Sequence, residues 1–174
     1  MIPDFKTYIK ESHWSEMNRR SQGIIKRKED DVNNLNLSEL YDYIYNNYNM
    51  RDENDLTYSL LPKEREPYSL NLIPMWKENN YVDLKYFRNK DNEMEVSVSR
   101  NIAYRDGGYY DLYKALEETY KLYDTVNYNR TNVSFGISPQ NGSKPTNRFF
   151  LEVLDFIIEH NPVPNCLEIT KKKK

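Results

Sequence analysis

Two neighbouring stretches constrain the fold of this chain more than any others. Tyr81 to Phe87 alternates apolar and polar residues, with Val82, Leu84 and Tyr86 on one side, and Glu93 to Ser99 repeats the pattern with Met94, Val96 and Val98. A period of two marks a strand with one face buried. The residues between them, Arg88-Asn89-Lys90-Asp91-Asn92, are rich in types that tolerate a left-handed backbone. Together they predict an antiparallel hairpin, and they decide which side of its sheet must find a core.

The segments around the hairpin extend that sheet. Asp55 to Leu61, closed by Pro62, and Tyr68 to Ile73, opened by Pro67, read as strands before it. Asn132 to Ser138 aligns Val133, Phe135 and Ile137 and reads as a strand after it. Three stripes follow the helical period instead. The first is capped by Ser38 and carries Leu40, Tyr41, Ile44, Tyr45 and Tyr48. The second comes after the breaker Asp106-Gly107-Gly108 and is expected from Tyr110 to about Val126, with Leu112, Leu116, Thr119 or Tyr120, and Tyr123 on its face. The third starts at the cap Thr146, carries Phe149, Phe150, Val153, Leu154, Ile157 and Ile158, and stops at Asn161-Pro162. The tail from Val163 to Lys174 offers one short extended piece at Leu167 and Ile169. This order predicts an α+β fold: a small, mostly antiparallel sheet with helices on one face and water on the other.

Ahead of that domain the pattern changes. Phe5, Tyr8 and Ile9 share a helical face, Trp14 and Met17 continue an apolar side, and Gly23 suits a helix stop. Lys26-Arg27-Lys28 then abuts Glu29-Asp30-Asp31, as in a solvated linker. The expected division is a helical arm and charged linker over residues 1–34 and an α+β domain with a basic tail over 35–174. Phe5, Tyr8, Ile9, Trp14 and Met17 are too much apolar surface to leave wet. Either the arm folds back on its own domain, or it docks into a partner chain as a helix in a groove.

Composition narrows the chemistry. The 25 basic and 27 acidic side chains nearly cancel, so no global basic field points to nucleic acid. Local basic spots remain, chiefly Lys171, Lys172, Lys173 and Lys174, which give a weak nucleic-acid contact as a minor expectation. Cys166 is the single cysteine, so no intrachain disulfide forms. Two histidines, His13 and His160, lie far apart and outside any ligand spacing, so neither a metal nor a cofactor is expected. Gly136, Gly142, Ser143 and Lys144 evoke a phosphate loop, but Ser143 precedes the lysine and Pro145 takes the hydroxyl position. No nucleophile elbow is present. No apolar run reaches the roughly 20 residues of a membrane span, and the N-terminus lacks the pattern of a secretory signal. The expectation is a chain that is not an enzyme.

One resemblance adds to this. Phe5-Lys6-Thr7-Tyr8-Ile9-Lys10-Glu11-Ser12-x-Trp14, then Arg20-Ser21-x-Gly23 and Arg27-Lys28-Glu29-Asp30-Asp31, resembles the start of small proteins of gut Bacteroidales and their crAss-like tailed phages. The opening also looks like the capsid-targeting peptides of T-even-type phage internal proteins, which end at an Ile/Leu-x-Glu site cut during head maturation. Ile9-Lys10-Glu11 matches that site, and the resemblance implies cleavage between Glu11 and Ser12. These likenesses imply a phage virion component, an internal or connector protein found in the virion or the host cytoplasm, with virion proteins as partners. The alternative expectations are a small cytoplasmic effector or enzyme, or a weak nucleic-acid module.

Overall fold

The computed structural model describes residues 29–60, 67–77, 80–101, 109–126, 132–160 and 166–172. The arm expected over residues 1–23 lies outside them. A 3-10 turn (Glu29–Asn34) leads into helix α1 (Leu37–Asn47) and strand β1 (Tyr48–Met50). A second 3-10 turn (Glu53–Asp55) precedes β2 (Leu56–Leu60), β3 (Pro67–Lys77), β4 (Asn80–Arg88) and β5 (Met94–Asn101). Helix α2 (Tyr109–Thr119), β6 (Lys121–Val126), β7 (Asn132–Ser138), helix α3 (Asn147–Glu159) and β8 (Ile169–Lys171) complete the order.

Six strands form one antiparallel sheet in the order β2-β3-β4-β5-β7-β6, and β1 pairs with β8 in a separate two-stranded ribbon. The expected hairpin is β4–β5, with Leu84 opposite Val98 and Tyr86 opposite Val96. Its turn is built by Asn89, whose side chain accepts from the amides of Asp91 and Glu93, and by Asn92 at φ 63°. Asparagine tolerates that left-handed conformation where most side chains do not.

The three described helices all lie on the face carrying the alternating apolar residues. Tyr41 of α1 meets Tyr58 edge to face, Tyr113 of α2 meets Phe135, and Phe150 of α3 stacks on Tyr86 at 4.8 Å. Each of the four side chains Phe150, Val153, Leu154 and Ile157 is fully buried. At about 1.5–3 kcal/mol per buried side chain, α3 is the largest single apolar contribution from a helix. The α+β architecture with helices on one face is therefore as the alternation required.

Several elements differ from the sequence-based expectation. The cap of α1 is Asn36, not Ser38. Asn36 accepts from the Glu39 amide at 2.8 Å while Glu39 accepts from the Asn36 amide at 3.3 Å, a reciprocal capping pair. Helix α2 ends at Thr119 rather than running to Val126. Its buried stripe Leu112, Leu116 and Tyr120 is then complete. Lys121 to Val126 crosses to the sheet as β6, where Leu122 pairs with Ile137 and Tyr123 with Gly136. Strand β3 runs past Ile73 to Lys77 through an irregularity between Leu72 and Met75. Such a bulge accommodates Pro74, which has no amide to give the ladder. The end of the expected linker is built into the domain, since Val32 lies in the core at 6% exposure.

Asn147 explains that last point. It is buried at the start of α3. Its Nδ2 donates to the carbonyls of Val32 and Leu35 at 3.0 and 2.7 Å, and its Oδ1 accepts from the Tyr86 hydroxyl at 2.9 Å. Burial pushes the Tyr86 phenol up to about 12, which keeps it a neutral donor. The Asn33 side chain accepts from the Arg148 amide at 2.9 Å. Replacing Asn147 with Ala removes the side-chain donor to the Leu35 carbonyl and the acceptor of the Tyr86 phenol, and leaves the Val32 carbonyl only its bond from the Leu35 amide, so Asn147→Ala is expected to lower unfolding stability by about 3 kcal/mol in urea titration.

Candidate partner-binding surface

The alternation that sends Val82, Leu84 and Tyr86 towards the helices sends Tyr81, Asp83, Lys85 and Phe87 to the opposite, outer face. Register then assembles that face row by row. Asn71, Lys85, Ser97, Gly136 and Tyr123 stand in line across five strands. Asp83, Ser99 and Ser134 form the next row, with a hydroxyl-to-hydroxyl bond of 3.0 Å between the two serines. Ser69, Phe87 and Glu95 form the row on the other side.

Two aromatic features frame these rows. Trp76 and Tyr81 are cross-strand partners whose rings stack at 5.4 Å and 16°. Trp76 is 45% exposed and Leu60 42%, the two exposed large hydrophobic side chains among the described residues. At the far side the Tyr123 ring covers Gly136 so closely that a Cβ there would stand 2.5 Å from it, and its hydroxyl reaches Glu95 at 3.4 Å. Between them Lys85 places its ammonium 5.3 Å from the Phe87 ring.

The middle of the face is unusual in a different way. Ser69 is fully buried, and its Oγ, Asn71 Oδ1 and Asp83 Oδ1 are buried without a hydrogen-bond partner. Asp83 faces the bulged part of β3, because its neighbours Leu84 and Val82 pair with Leu72 and Met75. Burial raises the Asp83 carboxyl above its ordinary value, opposed only by Lys85.

No family model, curated protein or solved structure matches the chain. The residues singled out in the sequence therefore stand on geometry alone. Phe5, Tyr8, Ile9, Trp14 and Met17, and the Glu11–Ser12 site, lie outside the described residues, as do Lys173 and Lys174. Lys171 pairs with Asp155 at 2.9 Å, and Lys172 gives its amide to the Asn47 carbonyl. The strand, loop and helix around Gly142 form an ordinary connection: Gly142 turns at φ 80°, Lys144 pairs with Glu93 of the hairpin, and Thr146 caps α3. His160 stacks on Phe156 at 3.9 Å. Among the described residues no group of three His, Cys, Asp or Glu stands ready for a metal, and no helix is long and apolar enough to cross a membrane. Trp76, Tyr81 and Asp83 went unmarked in the sequence. The signal was present, since hairpin pairing places Trp76 beside Tyr81 once β3 is allowed to continue past Pro74.

A second polar grouping holds the C-terminal segment. The Trp76 amide donates to the Cys166 carbonyl, the Glu168 amide to that of Pro74, and the Arg51 amide to that of Glu168, at 2.8, 2.8 and 3.0 Å. Cys166 is fully buried. Asp55, also buried, accepts from the Asp52 amide at 2.8 Å and meets the Glu168 carboxyl. Burial first, then the hydrogen bond and charge of Glu168, push Asp55 from 3.8 to about 7 against the lowering effect of the Asp52 amide.

Both the ring-on-glycine contact and the Asp55 carboxyl can be probed by substitution. Gly136→Ala is expected to cost about 1–2 kcal/mol by overpacking, net of the strand preference for Ala. Adding Tyr123→Ala should recover most of it, a coupling that a double-mutant cycle reads directly. Asp55 binds its proton more tightly folded than unfolded. Its stabilisation is fully present below the ordinary carboxyl value of 3.8 and fades as pH rises through about 7. Asp55→Asn should remove on the order of 2–4 kcal/mol of that pH dependence, measured as unfolding free energy between about pH 4 and pH 8.

Proposed function

We propose that this chain is a non-enzymatic component of a tailed-phage particle, joined to neighbouring virion proteins by its N-terminal segment. The observation that carries the reading is the apolar load of the N-terminal segment, Phe5, Tyr8, Ile9, Trp14 and Met17, ahead of a mixed-charge stretch. Among the described residues the buried apolar side chains from Val32 to Ile169 form one cluster, with the helices sealing one face of the sheet. Five large apolar side chains at helical spacing are the anchors of a helix-in-groove ligand. Each is worth about 1.5–3 kcal/mol when buried, so three or four of them are of the same order as the cost of association. The exposed Trp76 on Tyr81 gives the domain a contact point of its own.

The resemblance of residues 5–31 to proteins of crAss-like phages and of residues 5–11 to capsid-targeting peptides supports a particle as the destination. Mass spectrometry of purified particles of the encoding phage is expected to find the chain, with N-terminal peptides beginning at Ser12 after maturation. Deleting residues 1–23 is expected to lower incorporation at least tenfold. Incorporation that survives the deletion unchanged refutes the docking role.

A further inference from the structure

The C-terminal segment is held at its two ends by different chemistry. Strand β2 covers the edge of β3 only as far as Leu72. Beyond that point Cys166 to Glu168 takes the edge over: Leu167 bridges Met75, the Trp76 amide donates to the Cys166 carbonyl, and the Glu168 amide donates to that of Pro74. The chain then steps across to β1, where Ile169 pairs with Met50 and Lys171 with Tyr48. Residues 166–172 thus join the large sheet to the small one, and the side chains of Cys166 and Ile169 are fully buried. At the β1 end Lys171 pairs with Asp155 at 2.9 Å, and Asp155 also accepts from the Tyr48 hydroxyl at 2.6 Å. The bond to Asp155 raises the Lys171 ammonium above its usual value, so this end keeps its charges through neutral pH.

At the β3 end two carboxyls meet. Asp55 is buried, its Oδ2 accepts from the Asp52 amide at 2.8 Å, and it lies against Glu168, whose carbonyl accepts from the Arg51 amide. A neutral Asp55 has a proton to donate to Glu168. Once ionised, the pair offers acceptors alone, where little water reaches. The charged groups facing Asp55 are Glu168 on the C-terminal segment and Asp52 on its own turn, and both add to the effect of burial. Arg51 and Glu53 stand exposed beside that turn, and β3 packs on it beyond Leu72 with Ile73 and Pro74. We propose that residues 166–172 form a strap that opens from its Glu168 end when Asp55 loses its proton, while Lys171 and Asp155 keep the β1 end closed and the large sheet stays intact. The direction follows from the environment of Asp55, which is pushed up to about 7: the strap is closed below neutrality and opens above it. Opening one end of a terminal segment takes less than unfolding the domain.

Hydrogen–deuterium exchange of the full chain, read amide by amide and corrected for the intrinsic effect of pH, tests this. Between about pH 5.5 and pH 8.5 the Arg51, Trp76 and Glu168 amides are expected to lose roughly tenfold or more in protection, while the Lys172 amide and those of β4 and β5 keep theirs. Asp55→Asn supplies a neutral group that still donates, and should flatten the change. Alkylation of Cys166 by iodoacetamide gives a second reading. The ratio of the wild-type rate to the Asp55→Asn rate cancels the ionisation of the thiol itself, and it should rise roughly tenfold over the same range. Glu168→Gln should also remove most of the pH dependence, and it decides the matter if Asp55→Asn does not fold. Unchanged protection in the wild type overturns the proposal. Equal loss at Lys172 or in β4 and β5 overturns it too, because the whole segment or the whole domain is then opening. A pH dependence that survives both substitutions assigns the effect to another group and is equally fatal.

Discussion

A single buried amide sets the position of most of this structure. Asn147 bonds to the sheet through Tyr86 and to the incoming chain through the carbonyls of Val32 and Leu35, and it sits on the first turn of α3. Every polar atom of its side chain is spent on a buried partner. An apolar residue in its place would pack, but it would leave the entry turn and helix free to slide over the sheet. Hydrogen bonds at that depth act less as glue than as an address, because only one arrangement satisfies all of them. The stacking of Phe150 on Tyr86 then depends on that placement.

The C-terminal segment obeys a similar rule by different means. It lies between β1 and β3, held by backbone bonds from Trp76, Glu168, Arg51 and Lys172. Side chains then set its ends. At one, Asp155 accepts from Tyr48 at 2.6 Å and from Lys171 at 2.9 Å. At the other, Asp55 lies against the Glu168 carboxyl, and burial raises the proton affinity of Asp55, which couples the seating of this segment to pH. Lysines that read as a solvated tail are thus partly recruited into structure. The basic character of the tail is spent on Asp155 as far as Lys171 is concerned.

What could be read in advance divides along physical lines. The β4–β5 hairpin and α3 were legible because one period ran unbroken and turn chemistry stood at both ends. Strand β6 was not. Leu116, Tyr120 and Tyr123 continue a helical spacing, and only the distant glycine at 136 gives Tyr123 a better place on the sheet. Ser38 was read as the cap because the group that decides for Asn36, Glu39, works backwards along the chain. The outer face was legible as polar, but the burial of single oxygens on it was not. Alternation tells which way Asp83 points, whereas the burial of its Oδ1 depends on neighbours that only the folded sheet supplies. The stacking of Trp76 on Tyr81 needed β3 to survive a proline, which the bulge opposite Asp83 allows.

The contact between Tyr123 and Gly136 has a consequence for how the sheet is assembled. Strand β6 is an edge, and edges are where strands slip or recruit strangers. Sliding β6 by two residues keeps its faces correct and would pass unnoticed by the apolar pattern. It would, however, set the Tyr123 ring on Ser134 or Ser138, each of which has a Cβ where the ring must lie. The missing methyl group at Gly136 therefore works as a keyhole, cut at one rung of the ladder, that lets the final strand close only in its proper alignment.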